Sequence, residues 1–248
     1  MERAGANGQE GADVHPDLDW LRELMLSRRS IRGYRPDPVP QEVISEIIEV
    51  ACACPSSMNT QPWHFYVITG EPLDEIRSGN SELMRAGTPV ARDIDVVEAY
   101  SGIHRQRQVE VAIDLFASMG IERGDRARRQ DWTMRGFRQF DAPVSIAITY
   151  DRVLDQIAPI AHFDLGAVTY GLVLAAWAKG LGTVINGQGA MQAHVVRQHA
   201  GIADQHKLLT CVALGYPDDE FAANRVKSKR APSSLSTSYV GFPPGENA

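Results

Sequence analysis

Apolar residues recur along this chain first at helical and then at strand spacing, and the changes of period mark out its elements. Trp20, Leu21, Leu24 and Met25 share one face of a helix that Asp17 can cap, and the pattern stops at Arg28-Arg29. Pro36, Pro38 and Pro40 each fix φ and disfavour helix in the residue before them, so an extended link follows. Val43, Ile44, Ile47, Ile48 and Val50 restore the helical period until Pro55 ends it. His64 to Thr69 is a β-branched and aromatic run closed by Gly70, which predicts a strand led in by a core Trp63. Pro143–Tyr150, Thr183–Asn186 and Leu208–Gly215 predict three more strands. Ile160–Lys179 predicts a buried apolar helix in which Gly166, Ala167, Gly171, Ala175 and Ala176 permit close approach, and Gln192–His199 a shorter helix.

The stretch from Glu71 to Phe140 is polar and reads as helices with irregular links, including a basic run at Arg123, Arg126, Arg128, Arg129, Arg135 and Arg138. Strands and helices interleave without regular βαβ repeats or a Gly-x-Gly-x-x-Gly fingerprint, so a mixed α+β sandwich is preferred to a Rossmann domain. Residues 1–15 are rich in Gly, Ala, Glu and Asn without periodicity and read as a disordered arm. The pattern is read as one domain over residues 16–242, within which the polar segment 70–140 is the least regular, with a short tail at 243–248.

Composition narrows the function classes. With 248 residues and 44% hydrophobic content the chain can bury a full core, and a formal charge of -6 argues against nonspecific nucleic-acid binding. No apolar run approaches the roughly 20 residues of a membrane helix, and no basic-then-apolar leader is visible, so a cytoplasmic protein is expected. Cys52, Cys54 and Cys211 fit reduced, buried thiols, and the Cys-x-Cys pair lacks the second pair a zinc site would show. The histidines, among them His162, His194, His199 and His206, show no metal spacing, and no Gly-x-Ser-x-Gly elbow signals a hydrolase.

Candidate chemistry lies in three places. Arg28, Arg29, Ser30 and Arg32 combine guanidinium forks with a hydroxyl, a donor set that a phosphate monoester can fill; taken alone they also fit solvated charges at a helix end. Pro55, Ser56, Ser57 and Asn59 offer short donors and acceptors to a planar heterocycle, or form an ordinary helix stop. A second basic cluster, Lys227-Ser228-Lys229-Arg230, comes near the end.

These motifs resemble the FMN-dependent nitroreductase family: Arg28-Arg29-Ser30-Ile31-Arg32, Pro55-Ser56-Ser57-Met58-Asn59-Thr60-Gln61-Pro62-Trp63, and Lys227-Ser228-Lys229-Arg230. The likeness runs roughly from Trp20 to Phe242. It implies an α+β fold, a mixed α/β/α sandwich around a mostly antiparallel sheet, assembled as an intertwined homodimer. It implies FMN as cofactor, NADPH or NADH as reductant, and a small aromatic acceptor, foremost a nitroaromatic. Quinones, enones and halogenated aromatics are alternative acceptors, and a flavin-storing or flavin-destroying protein is an alternative role. Arg28, Arg29 and Ser30, with Lys227, Lys229 or Arg230, would hold the phosphate and ribityl chain, and Arg32 would sit near flavin N1 and O2. Pro55, Ser56, Ser57 and Asn59 would reach a flavin held mainly by the other subunit. In Asn186, Gly187, Gln188 and Gly189 a backbone N–H near Gly187 or Gln188 would meet N5, although that stretch also reads as a plain strand flanked by turns. Tyr100, Trp132 and Phe137 would shape the substrate pocket, and the C-terminal Leu235–Phe242 would extend over the partner. The basic run at 126–138 is expected to be a solvated face, or alternatively to attract the NADPH 2′-phosphate.

Overall fold

A computed structural model describes residues 17–96 and 100–242; the arm expected at 1–15 and the tail at 243–248 lie outside the described residues. Four strands, β1 (Trp63–Ile68), β2 (Val144–Asp151), β3 (Gly182–Asn186) and β4 (His206–Gly215), form one sheet in the order β1-β2-β4-β3 with every pairing antiparallel. The two central strands are buried on both faces, β2 from Val144 to Tyr150 without interruption. That is why their sequences read as apolar runs and not as alternation.

Helices cover both faces. On one side α2 (Gln41–Cys52) and α6 (Ala158–Ala178) set Ile44, Ile47, Leu165, Val168 and Leu172 against Ile146, Ile148, Val212 and Leu214. On the other, α3 (Gly70–Arg85) and α7 (Ala193–Ala200) set Leu73, Ile76, Ala193 and Val196 against Ile68, Ala147, Leu208 and Cys211. Each fully buried Leu or Ile contributes about 1.5–3 kcal/mol relative to exposure. Gly171 allows the α2–α6 approach, since a Cβ there would stand 3.3 Å from the Ala51 Cα. Among the described residues α6 alone has the length and hydropathy of a membrane span, contrary to the expectation that no such run exists. Its sheet-facing side accounts for part of that apolarity, while Ile160 and Phe163 of the same helix are exposed.

The predicted strands and helices appear with their ends moved by one or two residues. Within the polar segment the structure places α3, α4 (Gly102–Ser118) and α5 (Arg126–Phe137). The basic run is not a simple solvated face: Arg135 pairs with Asp141 at 3.2 Å, Arg138 pairs with Asp141 at 2.9 Å, and Arg128 caps the carbonyls of Met119 and Gly120 at 2.7 Å each. Helix α1 (Leu18–Ser27) is capped by Asp17 as predicted, yet none of its residues is buried. Its apolar face, with Trp20, Leu21 and Met25, finds no core within the protomer.

Candidate functional site

The turn after α1 is fixed to the sheet by backbone. Ile31 N–H donates to the Thr183 carbonyl at 2.9 Å, and Ser30 bridges Thr183 in parallel, so the arginine cluster lies alongside β3. The far end of the chain is brought to the same place by Asn224. Its Oδ1 accepts from the backbone N–H of Arg32 at 2.7 Å and of Gly33 at 3.1 Å, and its Nδ2 donates to the carbonyls of Gly33 at 2.8 Å and Asp218 at 2.9 Å. Arg29 adds a bond to the Asn224 carbonyl at 3.3 Å. One buried amide therefore joins segments almost two hundred positions apart.

The result is a notch of about 130 Å³ lined by Arg28, Arg29, Ser30, Arg32, Lys227 and Arg230, with Met25, Leu26 and Val111 beside them. Among the described residues none of these five cations forms an ion pair with a carboxylate. Arg28 Nε and Arg29 Nε are buried without a hydrogen-bond partner. Desolvation pulls the guanidiniums of Arg28 and Arg32 below their usual range, for Arg28 with a further push from Arg230. Half-buried guanidiniums whose buried Nε–H donors are unfilled suit a compact anion, and a phosphate monoester supplies acceptors on three oxygens. The notch is well below the ~300–1,000 Å³ of a whole-ligand pocket, so within one protomer it suits the charged end of a ligand.

Where the structure places the other predicted residues is mixed. Lys229 is exposed and does not line the notch. Asn186 and Gly189 are buried supports: Asn186 Nδ2 donates to Gly136 O at 2.8 Å and Gln139 Oε1 at 2.9 Å, while the Gly189 carbonyl accepts from Gln139 Nε2 at 3.1 Å. Gly187 and Gln188 remain at the edge of that turn, and the Gly187 carbonyl accepts from Arg92 Nη1 at 2.7 Å. Phe137 belongs to the core and not to a pocket wall, with its carbonyl bonded to Asn80 Nδ2 at 3.3 Å. Trp132 is half-buried and stacks near-parallel on Phe221, and Tyr100 is exposed.

Pro55, Ser56, Ser57 and Asn59 are not brought to the notch of their own protomer. Pro55, Ser56 and Ser57 line a separate apolar hollow of about 480 Å³ against Ile160, Phe163 and Asp164 of α6. Ser57 N–H donates to the buried Asp164 carboxylate at 3.0 Å, and Ser56 Oγ accepts from Gln61 N–H at 2.9 Å. Met58, Asn59 and Gln61 all carry positive φ, a strained loop held by these bonds. Met58 at its tip is 93% exposed.

Sequence reasoning missed Asn224, Gln139, Asn80 and Arg135. Arg135 reaches the Arg32 carbonyl at 3.1 Å and lies over the Phe221 ring at 4.7 Å, bracing the turn from behind. No spacing signal marks these residues, because each acts through partners distant in sequence.

An α+β sandwich that fixes a small cationic notch against its edge strand fits the class of nucleotide-type cofactor binders. The chain is a member of the Nitroreductase family, whose profile matches residues 25–216. It is 31% identical over 228 residues to a chloronitrobenzene nitroreductase of Comamonas testosteroni, covering 91% of this chain and 99% of that one. It is 30% identical over 228 residues to a nitrobenzene nitroreductase of Ectopseudomonas oleovorans, again covering 91% and 99%. Its fold superposes with a TM-score of 0.83 on the FMN-dependent nitroreductase NfnB from Mycobacterium smegmatis in complex with NADPH, at 28% identity and covering 90% of this chain and 100% of that one.

Proposed function

We propose that this chain is an FMN-dependent NAD(P)H oxidoreductase that reduces nitroaromatic compounds two electrons at a time. The observation that carries the reading is the notch, where Arg28 Nε and Arg29 Nε are buried and unpartnered beside Lys227 and Arg230. That donor set fits the phosphate of a flavin mononucleotide. FMN, when bound, supplies hydride transfer between NAD(P)H and the acceptor. The protein's task is to hold it and tune it. Arg28, Arg29, Ser30, Lys227 and Arg230 would hold the phosphate, and Arg32, a desolvated cation in the same lining, would stabilise the negative charge that the ring gains on reduction. Gly187 and Gln188 offer backbone at the edge of β3. Nitroarene and reductant take turns in one pocket, and each turnover removes one oxygen as water or adds two hydrogens, through nitroso to hydroxylamine, with protons from solvent.

The same reading makes the enzyme a homodimer of single domains spanning residues 16–242. Support comes from the unpartnered face of α1, from exposed Ile160 and Phe163 on α6, and from exposed Leu235, Tyr239, Val240 and Phe242 at the end of the chain. The Pro55–Asn59 loop stands among those surfaces and is free to reach the partner's flavin. The cytoplasm suits this chemistry, since it supplies NAD(P)H and keeps the three free cysteines reduced.

The test begins with the absorbance spectrum of the purified protein. NADPH added without oxygen should bleach the oxidised-flavin band, and nitrobenzene should then restore it in stoichiometric amount. Bleaching without recovery would remove nitroarenes as the acceptor, and a protein that stays colourless after incubation with FMN would remove the flavin reading.

A further inference from the structure

Far from the cationic notch in sequence, three side chains that the proposed reaction does not use meet at one end of the sheet. In the strand register His64 of β1 lies opposite Thr149, and Asp151 of β2 lies opposite His206 of β4. Thr149 and Asp151 are two positions apart on one strand, so His64, Asp151 and His206 stand on the same face across three adjacent strands. One potential ligand atom from each lies within 4.8 Å of the others. The histidine spacing along the sequence gives no hint of this, because antiparallel pairing, and not local spacing, brings the three together.

The set is prepared for a cation in several ways. His206 Nδ1 lies 2.7 Å from the Tyr66 hydroxyl, and that oxygen also accepts from the Ala203 N–H at 3.2 Å. The His206 tautomer that donates Nδ1–H to the Tyr66 oxygen carries its lone pair on Nε2, and a metal ion would select that tautomer, with Tyr66 orienting the imidazole. The nearby cations have partners outside the ligand atoms: Lys207 pairs with Asp155 at 2.6 Å, Arg197 with Asp93 at 2.9 Å and also with the His206 backbone carbonyl, and Arg152 Nε bonds the Asp204 carbonyl at 3.2 Å.

We propose that His64, Asp151 and His206 form a binding site for a divalent transition-metal ion of the zinc type, with solvent completing the coordination. Two imidazoles and one carboxylate suit Zn(II), Co(II) and Ni(II) and are a poor match for Mg(II) or Ca(II), which favour all-oxygen sets. The rings of His64 and His206 now stack with centroids 4.0 Å apart and planes 15° from parallel. Parallel rings cannot aim both lone pairs at one ion, so binding turns His64, the exposed member, out of the stack about its side-chain torsions. Zinc bonds of about 2.0–2.2 Å to nitrogen and oxygen then require the three ligand atoms to draw together. The proposal is independent of the flavin reading.

The experiment is a calorimetric titration of chelator-treated, flavin-loaded full-length protein with ZnCl2, repeated with CoCl2 while visible absorption is followed outside the flavin band. We expect one ion per protomer. His64→Gln and Asp151→Asn, both at positions that are not buried, should each weaken binding by at least about a hundredfold, beyond the ~10–100-fold that loss of a supporting residue costs. Tyr66→Phe should fall within that ~10–100-fold range. FMN content and circular dichroism of the variants, compared with the parent, establish that they fold. Zinc affinity weaker than about 1 mM in the parent, or an affinity unchanged in both folded ligand variants, would overturn the proposal; the latter would place the ion on other surface histidines.

Discussion

Replacing Asn224 by alanine tests whether the notch depends on one amide that touches no ligand. The substitution removes four hydrogen bonds of 2.7–3.1 Å, to Arg32 N, Gly33 N, Gly33 O and Asp218 O. At a net ~0.5–1.5 kcal/mol each these sum to about 2–6 kcal/mol, and we take about 3 because water can reach part of the region. The segment bearing Lys227 and Arg230 is largely exposed, and this amide ties it to the arginine turn alongside the packing of Phe221 and Ala223 and the Arg29 bond to the Asn224 backbone. Once the closed form becomes the minority, each further ~1.4 kcal/mol raises the apparent Kd tenfold. We expect the FMN Kd, measured by flavin fluorescence on the apoprotein, to rise about ten- to a hundredfold. If the whole cost were global, Tm would fall by about 6–12 °C for a domain of this size. A smaller fall accompanied by weakened FMN binding locates the cost at the notch. An FMN Kd within twofold of the parent would refute the reasoning, whatever happened to Tm. Asn224→Asp sharpens the test, because it keeps the acceptor for Arg32 and Gly33 but loses both donated bonds and brings a carboxylate near the phosphate.

Arg32→Ala should lower the flavin reduction potential by about 30–60 mV, the equivalent of one charge-assisted contact, and slow hydride transfer with little change in Tm; an unchanged potential with FMN bound would remove the electrostatic role. Gly189→Ala would drive a Cβ to 2.4 Å from the Gln139 amide and 2.7 Å from Asn186 Nδ2. Differential scanning calorimetry should show a loss of about 1–3 kcal/mol, whereas Gly187→Ala, with nothing within 4 Å, should lose much less. Desolvation holds the His162 imidazole below its usual value, so below about pH 6.5 the unfolded chain binds more protons than the folded one and stability falls on acidification down to the folded pKa. His162→Phe should flatten the decline of Tm on acidification below about pH 6.5, and an identical slope would remove His162 as its cause. Phe163→Glu places a charge on an exposed apolar stretch of α6. Analytical ultracentrifugation should show it shifted to monomer with loss of bound FMN, and a fully dimeric, flavin-loaded variant would move the interface elsewhere.

The fold was legible where periodicity reflects burial. β2 and β4 lie between two helical layers, so their sequences carry unbroken apolar runs that announce strands. α1 was read correctly as a helix with one apolar face, but its spacing does not show that the face lacks a core within the protomer. The cationic turn was legible because its chemistry is local: Arg28, Arg29, Ser30 and Arg32 lie within five positions. Its supports were not, since Asn224, Gln139 and Arg135 act by bonding backbone groups remote in sequence, and an isolated Asn or Gln carries no periodic signal. Asn186 and Gly189 illustrate the reverse case. Their neighbourhood was identified, but burial turned both toward the interior.

The joining of Arg29 to Asn224 across 195 positions also has a meaning in time. At roughly 5–20 residues per second, a ribosome needs about 10–40 s to travel from one half of the notch to the other. Throughout that interval the emerging chain holds arginines but no place for a phosphate. If the proposed phosphate site is the one that holds FMN, cofactor capture follows synthesis of the second basic cluster, and a chain released before Lys227 would carry all four strands but only half of the notch.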